Sequence, residues 1–299
     1  MAENPHTTDL SSRLDAPEII VAPGVYDALG ASLAERAGFD TVYLSGASLA
    51  YTRLGRPDIG LLSLGEINDA LSQIRERSDI TIVVDCDTGF GNALNVMRCV
   101  RLLERSGASA IQLEDQSFPK RCGHLRGKSL IPTEEMTGKI RAAVDARRHE
   151  RTLIIGRTDA LGVQGTSAAI ERAGQYREAG ADLLFIEGIR TREDIDRITT
   201  AFRGRAPLMA NMVEGGVTPM QNAADLQALG FSLVIFPGAL ARAFTCMAQR
   251  FFASLRENGS TEAFSNEMLD FGQLNACLGT EELLATGRHY EAEPRSSRS

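Results

Sequence analysis

From Ile80 to Asp115 the chain reads ITIVVDCDTGFGNALNVMRCVRLLERSGASAIQLED. Two short apolar runs, Ile80 to Asp87 and Ala110 to Asp115, bracket a segment of helical length. Runs this short and rich in Ile and Val suit strands buried on both faces. Between them Leu94, Met97, Val100, Leu102 and Leu103 form one apolar helical face. Arg105-Ser106-Gly107 then ends the helix on a glycine, where left-handed backbone costs little. The unit is strand, helix, glycine, strand.

The same unit recurs outward in both directions. Further apolar runs are Glu18 to Ala22, Thr41 to Ser45, Thr152 to Asp159, Leu183 to Glu187, Leu208 to Val213 and Leu233 to Pro237. Ile140, Ala143 and Val144 mark another amphipathic face, and Gly38, Gly180 and Gly230 close helices as Gly107 does. Ser63-Leu64-Gly65-Glu66 and Thr191-Arg192-Glu193-Asp194 resemble capping boxes. Eight such units predict an α/β fold, a (β/α)8 or TIM barrel, over an open doubly wound sheet.

After the eighth run, Ala241 to Glu257 reads as a helix stopped by Asn258-Gly259, with helical segments at Thr261 to Leu278 and Glu281 to Thr286. Leu269, Phe271, Leu274, Leu283 and Leu284 make this surplus too apolar to lie free in water, so it should pack on a neighbouring surface, another subunit's among them. The expected organisation is one barrel domain over residues 1–299, with a helical extension at 259–290 and flexible ends at 1–14 and 291–299.

Composition bounds the function. The 299 residues are 43% hydrophobic and 24% charged, as in soluble globular proteins. The net charge of −7 argues against a nucleic-acid binder. No apolar run reaches the ~18 residues of a membrane span, and the N-terminus carries no targeting pattern. Five scattered cysteines without a C-x-x-C pair argue against a disulfide framework or structural zinc, and for a reducing cytoplasm. Arginine outnumbers lysine 29 to three. A GC-rich genome accounts for that skew, but Lys120, Lys128 and Lys139 can also be read as sites where an ammonium is required.

In a barrel, chemistry gathers at the C-terminal strand ends. Asp85 and Asp87 lie two apart on a strand, hence on one face, and Glu114 ends the next strand. Three converging carboxylates repel unless a cation intervenes, and an all-oxygen set suits Mg²⁺ or Mn²⁺. The plain alternative is that an Asp pairs with Arg157 or caps a loop. Cys86 points the other way and packs as a small hydrophobe. Arg157, Asn211 and Arg242 suit a carboxylate or phosphate substrate, unless an arginine simply pairs with Glu187 or Asp85. No lysine falls on a strand, which disfavours a Schiff-base aldolase and leaves metal-stabilised enolate chemistry.

The loop from Ser117 to Lys128 holds two of the three lysines and Cys122. Lys120, Arg121 and His124 would stabilise a thiolate, and Gly123 and Gly127 would let the loop hinge as a lid. The alternative is a surface loop with an incidental thiol. Ser45-Gly46-Ala47, directly after a strand, offers amides for an anion. Gly89-Phe90-Gly91 and Gly215-Gly216 match no phosphate-binding fingerprint.

Together, residues 85–92 (DCDTGFGN), Glu114-Asp115-Gln116, Lys120-Arg121-Cys122-Gly123-His124 and Arg157-Thr158-Asp159-Ala160 resemble the isocitrate lyase/phosphoenolpyruvate mutase superfamily. The K-R-C-G-H motif marks its lyase branch, with 2-methylisocitrate and 2,3-dimethylmalate lyases. The likeness runs from about Ala22 to the final helices. It implies a barrel whose last helix is swapped between subunits, usually in a homotetramer. It implies Mg²⁺ at Asp85, Asp87 and Glu114, partly through water. It places Cys122, Tyr43, Lys120, His124 and Arg157 in catalysis. Ser45, Gly46, Ala47, Asp58, Gly123, Glu187, Asn211 and Arg242 join Arg157 around the substrate. The implied reaction is a retro-aldol-like cleavage of a 2-hydroxy acid to a 2-oxo acid and a carboxylate. Cys122 protonates the carbanion, and Tyr43 is a candidate for the hydroxyl proton.

Val213 stands where methylisocitrate lyases tend to carry a hydroxyl residue, which leans the reading towards a dicarboxylate. An oxaloacetate hydrolase or decarboxylase is the competing enzyme. A non-catalytic binder would have eroded the mouth, and every expected polar group is present.

Overall fold

The eight apolar runs become eight parallel strands in the computed structural model of the chain, which describes residues 10–291. They are β1 (Ile20–Val25), β2 (Thr41–Leu44), β3 (Thr81–Asp85), β4 (Ala110–Glu114), β5 (Leu153–Thr158), β6 (Leu183–Ile186), β7 (Leu208–Asn211) and β8 (Leu233–Phe236). Each pairs with its sequence neighbour, and β8 returns to β1 with Ile20 opposite Leu233, closing the barrel. Every residue of β2 to β6 is buried, which is why these strands read as continuous apolar runs.

Before and between the strands run α1 (Leu10–Leu14), α2 (Ala28–Arg36), α3 (Gly46–Leu49), α4 (Leu64–Arg77), α5 (Ala93–Arg105), α6 (Thr133–Ala146), α7 (Leu161–Gln164), α8 (Thr166–Glu178), α9 (Arg192–Phe202) and α10 (Ala223–Leu229). A π-helical turn, Ala50–Leu54, continues α3. Ser63 and Glu66 form the anticipated capping box, Thr191 caps α9, and Gly107 turns out of α5 at φ +94°. One core lies between strands and helices, with Ile67, Leu103, Ile140 and Ile198 among its members. A second fills the barrel with Tyr43, Val83, Ile155, Phe185 and Ile235.

Two expectations shift. Leu10 and Leu14 are not in a flexible end. They form α1 and are buried in the barrel's interior core, at 2% and 4% exposure. Residues 1–9 and 292–299, expected to be flexible, lie outside the described residues. β1 runs on to Val25, beyond the expected end at Ala22, and Gly24 lies against the exit of β8. A Cβ there would sit 2.3 Å from Pro237 O.

The chain forms two compact units, one through Arg242 and one from Ala243. The boundary falls inside α11 (Ala239–Asn258), earlier than the expected extension at 259–290. In the second unit Phe251 stacks edge-on with Phe264 at 5.5 Å, and Arg250 pairs with Glu267 at 2.6 Å. The helix expected over Thr261 to Leu278 is broken into a 3-10 turn (Glu262–Glu267) and α12 (Phe271–Leu278). Asp270 breaks it by capping α12 reciprocally with Gln273. α13 (Thr280–His289) follows.

Candidate active site

The carboxylates of Asp85, Asp87 and Glu114 lie together at the ends of β3 and β4, with ligand atoms within 4.8 Å of one another. Strand alternation does not bring Asp87 there. β3 ends at Asp85, and Asp87 turns back with φ +46°. Its amide donates to Asp85 Oδ1 at 3.2 Å. Lys139, on α6, holds the outgoing loop through the Thr88 carbonyl at 3.2 Å.

Beneath Asp85 lies a polar chain inside the barrel. Tyr43 OH donates to Gln112 Oε1 at 2.9 Å, and Gln112 Nε2 donates to Asp85 Oδ1 at 3.1 Å. Tyr43 is 2% exposed, and burial, with Asp85 close by, holds its phenol well above the usual range. Tyr43 is the candidate for the hydroxyl proton; here its OH is engaged by Gln112, through which it supports Asp85. Gln112 was missed, although it shares a face with Glu114 two residues on.

All three carboxylates are buried, so their charge needs a counter-ion. Lys120 supplies part of it, with Nζ 2.5 Å from Asp58 Oδ1 and 2.7 Å from Asp87 Oδ1. Burial alone would lower its pKa, but Asp87, Asp58, Glu114 and Asp85 raise it well above the usual range. Burial pushes Asp87 up to about 6 despite the pull of Lys120. It also lifts Glu114 well above the carboxylate range, although Arg157 and Lys120 oppose it. Glu114 Oε1 is buried with no hydrogen-bond partner among the described residues. An all-oxygen donor set with an orphaned buried oxygen fits a hard divalent cation held by Asp85, Asp87 and Glu114.

The expected anion nest at Ser45-Gly46-Ala47 is largely occupied by the protein itself. Ser45 N donates to Val25 O at 3.1 Å, Ser45 Oγ caps Ser48 N at 3.2 Å, and Gly46 N donates to Asp85 Oδ2 at 3.3 Å. A Cβ on Gly46 would point at Asp85 Oδ2, 3.1 Å away, so this turn fits closely over the acidic cluster.

Arg157 is 7% exposed and surrounded by carboxylates. It meets Asp159 Oδ2 at 2.9 Å through Nε, Glu114 Oε2 at 3.2 Å and Glu187 Oε2 at 3.8 Å, with Phe185 beneath its plane. The plain alternative of a Glu187 pairing is thus realised, and Arg157 also ties the acidic cluster to the next strands. Asn211 Nδ2 donates to Glu187 Oε2 at 2.8 Å. Arg242 is held on the exposed rim by Glu214 at 2.7 Å, so its guanidinium is already engaged.

The loop carrying Cys122 closes over these groups. Cys122 N donates to Asp58 O at 3.1 Å. Gly123 passes so close that a Cβ would lie 2.4 Å from Glu187 Cγ and 2.6 Å from Arg157 Nη2. The surroundings of Cys122 oppose the thiolate that the flanking cations alone suggest. Lys120 points away into the carboxylates. His124 is neutral: its Nδ1 accepts from Val217 N at 3.0 Å, and burial lowers its pKa even though Glu187 opposes. Burial first, then Asp58, raise the Cys122 thiol, so it holds its proton at neutral pH. Tyr51, on the π-helical turn, was also missed; burial first, then Cys122 and Asp58, raise its phenol.

A polar layer behind the site was not anticipated either. Asp115 is fully buried and accepts from Thr158 Oγ1 (2.7 Å), Asp159 N (2.9 Å), Tyr176 OH (2.7 Å) and Arg172 Nη1 (3.3 Å). Asp159 in turn holds Arg157 and Lys128.

A closed eightfold barrel with acidic groups, a guanidinium and a thiol gathered at its mouth is an enzyme architecture, and comparison with known proteins specifies it. Residues 10–256 match the family model described as phosphoenolpyruvate phosphomutase, and the chain belongs to that family. It is 40% identical to 2,3-dimethylmalate lyase of Eubacterium barkeri, over 93% of this chain and 95% of that one. It is 46% identical to 2-methylisocitrate lyase of Aeropyrum pernix, over 84% and 80%. A crystal structure of 2,3-dimethylmalate lyase, described as a PEP mutase/isocitrate lyase superfamily member, superposes with a TM-score of 0.90 at 35% identity, covering 99% of this chain and 98% of the other. Oxaloacetate acetylhydrolase bound to 3,3-difluorooxalacetate superposes at 0.88 with 33% identity, over 97% and 99%. The protein is a carbon–carbon lyase of this superfamily. No helix among the described residues is long and apolar enough to cross a membrane.

Proposed function

We propose that the protein cleaves a 2-hydroxy dicarboxylate of the 2,3-dimethylmalate or 2-methylisocitrate type, giving pyruvate and a second carboxylate. The observation that carries this reading is the buried triad of Asp85, Asp87 and Glu114, joined through Lys120 and Asp58 to the backbone of the half-buried Cys122. Asp85, Asp87 and Glu114 would hold Mg²⁺, with Mn²⁺ as a substitute. Bound there, the ion would supply Lewis acidity for a 2-hydroxyl and its neighbouring carboxylate.

The chain's own residues do the rest. Lys120 balances the carboxylate charge, and Tyr43 and Gln112 fix Asp85 from below. Arg157 offers a guanidinium to a substrate carboxylate, with Glu187, Asn211, Gly123 and His124 lining the same side. Arg242 reaches the substrate once Glu214 releases it. The 2-hydroxyl proton passes to solvent at the mouth, which later returns one to Cys122, and the oxygen lone pair forms the ketone of pyruvate. The electrons of the C2–C3 bond leave with C3 as the enolate of the second carboxylate. That carbon takes the proton of Cys122, which a thiol with a raised pKa holds ready. Val213 leaves the β7 end without a hydroxyl donor, which favours a dicarboxylate. Five free cysteines suit a reducing cytoplasm as the place of action.

The test is pyruvate release coupled to NADH oxidation by lactate dehydrogenase, with 2,3-dimethylmalate, 2-methylisocitrate and oxaloacetate, with and without EDTA. Cys122→Ser should lose about 10²- to 10⁴-fold in kcat, the usual weight of a general acid. No pyruvate from either hydroxy acid would overturn the lyase substrate reading. Acetate and oxalate from oxaloacetate would then support hydrolysis, a second reading favoured by the likeness to oxaloacetate acetylhydrolase.

A further inference from the structure

Lys128 is one of three lysines in the chain, and none of the roles above uses it. Its side chain is 6% exposed, a costly place for an ammonium unless something requires it there. Nζ donates to Asp159 Oδ1 at 2.8 Å and to the carbonyl of Gly123. Asp159 is fully buried and holds Arg157 through Nε at 2.9 Å and Nη2 at 3.3 Å. Gly123 is the residue after Cys122. One ammonium therefore joins the backbone that carries the thiol to the carboxylate that aims the guanidinium.

The loop's other ties lie elsewhere. Its base is pinned by Ser117 N to Ser129 O at 2.8 Å and by Gln116, whose amide pairs with the backbone of Arg121 on both sides. On the Asp58 side, Cys122 N reaches Asp58 O. Only Lys128, among the described residues, hydrogen-bonds both to the Cys122-Gly123 turn and to the Arg157–Asp159 pair.

We propose that Lys128 is a positioning residue that clamps the Cys122 loop to the Arg157–Asp159 pair, setting thiol and guanidinium in register. The contacts are local and ionic, and two acceptors share the ammonium. Removing it strands the buried Gly123 carbonyl and leaves Asp159 Oδ1 with only the 3.3 Å bond from Arg157 Nη2, so the loop should lift to let water reach both. The catalytic consequence rests on the reading of Cys122 as proton donor; the clamp itself does not.

The experiment separates the two. Cys122 alkylation by iodoacetamide is followed by peptide mass spectrometry on the folded protein, with Cys246, exposed on α11, as the internal reference. Lys128→Ala should raise the Cys122 rate at least about tenfold relative to Cys246, and speed amide exchange across residues 121–128. It should lower kcat about 10- to 100-fold with KM little changed, because a misplaced donor costs the chemical step more than binding. Lys128→Arg, which keeps charge and reach, should recover part of both effects, and it keeps the test open if the alanine variant fails to fold. Faster alkylation with unchanged kcat would uphold the clamp and count against Cys122 as the donor. Wild-type alkylation and exchange rates in a folded Lys128→Ala protein would overturn the clamp.

Discussion

At the scale of single residues, burial decides the charges at the mouth. Asp87 shows it in a measurable way. Burial raises its carboxyl to about 6 although Lys120 pulls the other way. A carboxyl whose folded pKa lies above its unfolded one stabilises the fold at low pH, and that contribution fades as pH rises through about 6. A divalent cation needs the ionised form, so its binding competes with protons below that pH. In melting experiments, Mg²⁺ should therefore raise Tm more at pH 7.5 than at pH 5.5. Asp87→Asn should abolish most of the difference. Equal Mg²⁺-induced shifts at both pH values would show that Asp87 does not titrate at the site. Asp85 and Glu114 were legible in the sequence because successive strand ends lie side by side in a barrel, whereas Asp87 joins them by a turn at φ +46° and not by the strand alternation expected. The raised pKa of the Cys122 thiol was not legible from its flanking residues, although the family resemblance implied a proton donor there. Its neighbours in the chain are cations, but Lys120 is turned into the acidic cluster and His124 is neutral. Sequence adjacency does not specify which way side chains point in a folded-back loop.

At the scale of elements, strands and helix stops were legible because their signals are local: apolar runs, caps and closing glycines. What joins one element to another was not. α8 illustrates this, since Arg172 and Tyr176 look like an ordinary helical pair but reach Asp115 behind β4 and β5. Through Thr158 Oγ1 and Asp159 N, Asp115 fixes the end of β5 where Arg157 and Asp159 project. Tyr176→Phe deletes one donor to a buried carboxylate and leaves the ring in place. It should cost about 1–3 kcal/mol, seen as a Tm lower by a few degrees. If the layer also aims Arg157, KM for the dicarboxylate should rise along with the loss of stability. A variant with wild-type Tm and KM would show that Asp115 is satisfied without Tyr176, by Arg172, Thr158 and Asp159 N alone.

At the scale of the whole molecule, the second unit carries an unresolved physical debt. α12 and α13 bury no residue of their own, yet Phe271 is 87% exposed, Leu283 70% and Leu284 53%. Each such side chain stabilises an assembly by about 1.5–3 kcal/mol once fully buried. A negatively charged protein can stay in solution with scattered apolar residues, but several close together on two short helices mark a contact surface. A homotetramer in which these helices pass to a neighbouring subunit would cover them. Light scattering on the purified chain should then give about four times the 32.3 kDa chain mass. A Leu283→Glu/Leu284→Glu variant should shift the population to smaller species, because two carboxylates would have to be desolvated at the contact. If the wild-type protein runs as a monomer at micromolar concentration, the assembly proposal fails. These helices would then have to cover their apolar side chains on the same chain. The same variant also separates assembly from chemistry. Every residue assigned to the acidic cluster, the Cys122 loop and the Arg157–Asp159 pair lies before Arg242, so a dissociated barrel that still turns over substrate would show that one subunit carries a complete site.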